Sequence, residues 1–209
     1  MSELERLEAT YRDHHEAERT PDFVFGGDER ARVFRELVGG PGRRVLDLGC
    51  RYGALTRTYS GGNDVVGVDV DREALAVAEA ELGIATRWAD VEQPLDFADE
   101  SFDVVVAGEL IEHVRDPSRL AAEAFRVLRP GGRVVGSVPN AFRLKSRLLF
   151  LMGRKPEDNP THLHLFTPDD LRTLLSAFKQ VELRYLSSRW LRLHPRLTAN
   201  IVVFTGVTP

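Results

Sequence analysis

One cysteine, Cys50, stands in 209 residues, so an internal disulfide is excluded and a reducing compartment suits the chain. There is no excess of basic residues: the formal net charge is −4, without the positive footprint of a general nucleic-acid binder. No apolar run approaches the roughly 20 residues of a membrane-spanning helix. The first residues, Met1-Ser2-Glu3-Leu4-Glu5-Arg6, are charged and hold no apolar stretch, which predicts no signal peptide and a soluble cytoplasmic protein. Internal repeats and long linkers are lacking too. A single domain over 1–209 with a sizeable core is therefore expected.

What is present is an alternation of apolar runs and helical segments, organised around Val45-Leu46-Asp47-Leu48-Gly49-Cys50-Arg51-Tyr52-Gly53. The run feeds a loop carrying Gly49 and Gly53, and a helix is expected from Ala54. A second run, Val65-Val66-Gly67-Val68, ends on Asp69. Strand, glycine turn, helix, strand and terminal acid make the nucleotide-binding half of a doubly wound sheet. The glycines would let backbone approach a ligand where a Cβ would clash. The helix start would offer N–H groups, and Asp69 could accept from two ribose hydroxyls. A dinucleotide fingerprint needs G-x-G-x-x-G, and arginine and tyrosine stand here in place of further glycines.

Leu4, Leu7 and Tyr11 fall at helical spacing before Thr20-Pro21, and a second helix is expected from about Glu29 to Val38, so 1–40 would form a helical cap. After Asp69, a helix from Asp71 to Leu82 ends at Gly83, and a short strand from Ala85 to Ala89 ends at Asp90. Phe102 to Ala107 and Arg133 to Val138 read as buried strands, with a helix from Asp116-Pro117 to Leu128 between them. Thr167-Pro168-Asp169-Asp170 starts a helix reaching about Phe178. Gln180 to Ser187 and Asn200 to Val207 are expected to pair antiparallel. The fold class is α/β: a doubly wound, mostly parallel, Rossmann-like sheet closed by an antiparallel pair, with its ligand at the C-terminal strand ends.

D-L-G-C-x-x-G followed by V-G-V-D resembles the S-adenosylmethionine loop of class I methyltransferases, and Leu128-Arg129-Pro130-Gly131-Gly132 resembles the loop before that family's fifth strand. The resemblance covers nearly the whole chain and implies seven strands and S-adenosyl-L-methionine as cofactor. By it, Asp47 at the strand tip is among the cofactor-binding residues, and Gly49, Cys50 and Gly53 would line the methionine and ribose portion through backbone atoms. Asp69 would bind the ribose with Val70 beside the adenine. Asp90 would accept from the adenine amino group with Val91 against the ring, and a carbonyl at Gly108 would meet the ammonium. The departure is Arg51, where the family has glycine. Either it points outward, tolerated because only some of the loop's glycines need a positive φ, or it reaches the cofactor's carboxylate.

Glu109-Leu110-Ile111-Glu112-His113-Val114 resembles the E-x-x-E-H-V segment of small-molecule methyltransferases, including those of quinone biosynthesis. His113 there, and His162 in His162-Leu163-His164-Leu165-Phe166-Thr167, are the candidate general bases; a structural role is the alternative for each. One histidine and two glutamates without a further clustered ligand are too few to imply a required metal. The insert 141–161 opens with Ala141 to Lys155, which has basic residues, no acid and a broad apolar side. It is either a lid over a small-molecule substrate or an interfacial helix meeting anionic lipid or a lipid-linked substrate. Methyl transfer to an oxygen or nitrogen of a small molecule is the function implied. The alternatives are a non-catalytic S-adenosylmethionine-binding subunit and a nicotinamide-dependent oxidoreductase.

Overall fold

A computed structural model describes residues 26–156, 159, 161–186 and 194–209, with residues 5, 6 and 8 before them. The rest of the expected first helix lies outside the described residues. In chain order the elements are α1 (Gly27–Val38), β1 (Arg44–Leu48), β2 (Asp64–Asp69), α2 (Arg72–Leu82) and β3 (Ala85–Trp88). There follow β4 (Phe102–Gly108), α3 (Pro117–Val127), β5 (Leu128–Pro139), α4 (Leu144–Leu151) and α5 (Pro168–Leu174). The chain closes with β6 (Lys179–Leu186), α6 (Pro195–Thr198) and β7 (Ile201–Val207).

The seven strands form one sheet in the order β3-β2-β1-β4-β5-β7-β6. The first five pair in parallel, whereas β7 runs antiparallel to both β5 and β6. The expected mostly parallel sheet with a final antiparallel pair is therefore the fold found. Period-two alternation splits the core between the two faces. Leu46 and Leu48 pack with Leu120, Ala124 and Val127 of α3 and with Leu171 of α5. Val45, Val65 and Val104 pack with Val33, Phe34 and Leu37 of α1. Asp47 shares the parity of Val45, so its carboxyl is turned to the α1 face.

Caps fix the helix starts. Asp71 accepts from the Glu73 and Ala74 N–H groups ahead of α2, and Gly83 closes that helix at φ 64°. Asp116 does the same for α3, and a reciprocal Thr167–Asp170 capping box starts α5. The expected helix from Ala54 is corrected: only a 3₁₀ turn, Thr56–Thr58, follows the glycine loop. Its cause is local, because Thr56 Oγ1 and Tyr59 Oη both turn inward to donate to Asp47 Oδ2, at 2.6 and 2.7 Å. Gly61-Gly62 then ends the segment before a helix can lengthen. The loop thus presents a glycine turn, not a helix N-terminus.

Candidate active site

β1, β2, β3 and β4 carry their C-terminal ends along one edge of the sheet, and most of the sequence-predicted residues collect there. Asp47 is 3% exposed, and burial pushes its carboxyl up to about 6, against the opposing hydrogen bonds from Thr56 and Tyr59. Asp69, 7% exposed, is also pushed up by burial. Its Oδ1 accepts from Asp71 N–H and its Oδ2 from Arg51 N–H, both at 2.9 Å. Each carboxylate oxygen retains a second lone pair, so hydroxyl donors can still be met. Asp90 is half-buried, its Oδ1 accepting from Glu92 N–H at 2.8 Å, beside a cleft of about 630 Å³ that Val68, Ala89 and Phe97 also line. The carbonyl of Val70 is held by Trp88 Nε1–H at 2.8 Å, while Val91 is drawn into the apolar core.

The glycines have reasons the sequence does not announce. Gly49 and Gly53 have φ of 72° and 77°, a region L-residues avoid. A Cβ on Gly53 would stand 2.5 Å from Leu82 Cδ1 of α2, so this glycine lets that helix come close. Gly108 makes room for Arg30, whose Nη2 would lie 2.6 Å from an added Cβ. Arg30 is 4% exposed on the apolar side of α1, with its guanidinium 5.2 Å from the Phe34 ring centroid. Its charge favours ionised Asp47. Sequence reasoning missed Arg30; the available signal was a lone arginine four residues before Phe34 on an otherwise apolar stripe.

Arg51 corrects one expectation. Its own φ is 48°, so the loop does require the left-handed region there, and an arginine adopts it. Its N–H is spent on Asp69 and its guanidinium lies 5.3 Å from the Tyr52 ring centroid. Cys50 is 8% exposed and fills the notch left by Gly67, where a Cβ would be 2.7 Å from its Sγ. Burial pushes that thiol up, as befits packing rather than chemistry.

Beyond β4 the chain brings together two histidines 49 positions apart. The His113 and His162 ring centroids are 4.7 Å apart in an edge-to-face arrangement. Glu112, 1% exposed, joins them: ligand-capable atoms of Glu112, His113 and His162 all lie within 4.8 Å of one another. The clustered partner that the E-x-x-E-H segment lacked in sequence is His162, and the three could hold a divalent cation. Tautomers follow from the partners. His113 Nδ1 faces the Thr161 carbonyl at 3.1 Å and must donate, which leaves the ring's lone pair on Nε2. Asn159 Oδ1 accepts from Thr161 N–H and Oγ1–H, so its amide N–H donates to His162 Nε2 at 3.0 Å. The Leu163 and His164 N–H groups donate to the Glu112 carbonyl, tying the segments together. His164 Nε2 lies 3.0 Å from the Val114 carbonyl and serves the loop. Glu109 holds φ 56° at the end of β4 and accepts from Ser137 Oγ–H at 2.8 Å.

Residues 46–136 match the methyltransferase domain family. The ubiquinone biosynthesis O-methyltransferase of Alkalilimnicola ehrlichii is 37% identical over 123 residues, 56% of this chain and 49% of that protein. Its counterpart in Methylococcus capsulatus is 33% identical over 157 residues, 72% of this chain and 62% of that one. The chain thus spans about half the length of the curated relatives it matches. In fold it is similar to an S-adenosylmethionine-dependent methyltransferase from Archaeoglobus fulgidus, with TM-score 0.69 and 18% identity, covering 99% of this chain and 100% of that one. Residues 46–136, from β1 into β5, thus match a methyltransferase domain, and the sheet around them has the fold of S-adenosylmethionine-dependent methyltransferases.

Proposed function

We propose that the chain transfers a methyl group from S-adenosylmethionine to an oxygen, or alternatively a nitrogen, of a small-molecule acceptor. One observation carries the reading: acids at the tips of β1, β2 and β3 share one sheet edge with the glycine turn, and the His113–His162 pair stands past the tip of β4. The donor set suits the cofactor. Asp69 and Asp90 have acceptor capacity for ribose hydroxyls and an adenine amino group, Asp47 is an anion for the ammonium, and Arg30 is a buried cation for the carboxylate. Arg30 therefore takes the role that Arg51 would have had.

When bound, S-adenosylmethionine supplies a methyl already activated on a sulfonium. The chain then has to hold the acceptor in line and exclude water, and orientation of that kind contributes roughly 7–11 kcal/mol. His113 and His162 are both candidate bases: the Thr161 carbonyl fixes the His113 tautomer with its lone pair on Nε2, and the Asn159 amide donates to His162 Nε2. Taking a proton from an acceptor hydroxyl would add on the order of 10²–10⁴-fold. The relatives' O-methyltransferase names support an oxygen acceptor.

The test is incubation of the protein with a bacterial small-molecule extract and S-adenosylmethionine carrying a labelled methyl group, followed by mass spectrometry. A labelled O-methyl product is expected. Binding of S-adenosylhomocysteine without any labelled product would make the chain a non-catalytic cofactor binder. Binding of NADH in its place would make it an oxidoreductase.

A further inference from the structure

Among the described residues, every large apolar side chain that is exposed belongs to one of two segments. Leu144, Leu148, Phe150, Leu151 and Met152 lie on or just beyond α4, and Leu163 and Leu165 flank His164. Phe150 is 70% exposed and Leu151 80%. Helical spacing explains the pattern: Leu144, Leu148 and Leu151 recur at i, i+4 and i+7 and form one stripe. That stripe faces outward, whereas the polar Ser146, 2% exposed, is the residue α4 buries. The helix is inverted relative to a surface helix of a globular domain, which buries its apolar stripe.

Charge specifies what would cover it. Residues 141–155 contain Arg143, Lys145, Arg147, Arg154 and Lys155 and no acid, in a chain whose net charge is −4. Lys145, Arg147, Arg154 and Lys155 are exposed beside the apolar stripe. A cleft of about 730 Å³ adjoins it, with Arg147, His194, Arg196, Tyr185 and Asn140 on its walls and no acid among the residues that line it. Apolar side chains ringed by cations match the interfacial layer of an anionic bilayer: acyl chains accept the leucines and phenylalanine, and lipid phosphates the guanidinium and ammonium groups. A partner protein or a second copy with a matching groove would satisfy the apolar stripe but does not call for the cations of 141–155.

We propose that α4, the turn after it and the Leu163–Leu165 strip form a peripheral docking surface for an anionic lipid bilayer. This goes beyond methyl transfer and requires neither cofactor nor acceptor. The Leu163 and His164 N–H groups bond to Glu112, so docking would set the candidate acceptor site at the bilayer surface.

Flotation of the full chain with vesicles, without cofactor, tests it. Vesicles of phosphatidylcholine with one quarter phosphatidylglycerol should carry the protein up, and pure phosphatidylcholine should carry at least tenfold less. Arg147→Gln with Arg154→Gln should lower anionic-vesicle partitioning roughly 20–30-fold, about fivefold for each cation near the surface. Phe150→Ser with Leu151→Ser should lower it at least tenfold, with thermal melting and S-adenosylhomocysteine binding unchanged, which excludes misfolding. Protein that stays at the bottom with both vesicle types, or floats equally with both, overturns the proposal. So does a concentration-dependent dimer in sedimentation that the Phe150→Ser, Leu151→Ser variant abolishes while vesicle binding persists.

Discussion

Replacing Asp47 by asparagine should stabilise the protein near neutral pH. The residue is 3% exposed, and burial moves its carboxyl from an ordinary 3.8 to about 6. A carboxyl whose folded-state pKa lies above its unfolded value binds a proton more readily when folded. Its stabilising contribution is therefore complete below about pH 4 and is lost as pH rises through about 6. The interval from 3.8 to about 6, at about 1.4 kcal/mol per pH unit, comes to about 3 kcal/mol withheld from the ionised parent at pH 7.5. Asparagine keeps an oxygen for the Thr56 and Tyr59 hydroxyls, whose bonds of 2.6 and 2.7 Å end on one carboxylate oxygen, and carries no charge. Asp47→Asn should then melt about 6–12 °C higher at pH 7.5, with the difference gone near pH 4. Calorimetric melts from pH 4 to 8 read both. A variant less stable than the parent at pH 7.5 would show that Arg30 and the two hydroxyls make the charge a net gain, and would refute the reasoning. The stabilised variant should bind S-adenosylhomocysteine more weakly, because a buried anion retained against stability is expected where a cation must bind.

Gly53→Ala should cost about 2–4 kcal/mol in urea unfolding, from the positive φ together with the 2.5 Å approach of Leu82. An effect under half of that would mean that α2 yields easily. Alanine at whichever of His113 and His162 serves as base should lower turnover on the order of 10²–10⁴-fold with S-adenosylhomocysteine affinity unchanged; full turnover in both variants would leave the pair a structural role. Exhaustive chelation should leave turnover intact, and loss of turnover restored by magnesium would instead assign a cation to Glu112, His113 and His162.

The parallel sheet was legible because strands buried on both faces, such as Val104 to Val106, read as unbroken apolar runs between well-capped helices. Asp69 was legible because it ends such a run, whereas Asp47 and Asp90 were placed by the family resemblance. The missing helix after Gly53 was not, since pattern alone gives no sign that Thr56 and Tyr59 would be drawn in by a carboxyl nine and twelve residues back. Nor was the reason for Gly53, which depends on Leu82, 29 positions on. The His113–His162 pairing crosses an insert whose path no local rule fixes, so two residues weighed separately turned out to be one cluster. Arg30 was hidden by its type, because an arginine on a helix is ordinarily counted as solvated.

Calorimetric titration of S-adenosylhomocysteine into the parent chain and into Asp69→Asn tests the central claim most directly. One molecule should bind per parent chain, and binding should weaken at least tenfold in the variant. An absence of heat with the parent, or equal affinity for both, would contradict a cofactor held at the tips of β1 to β3.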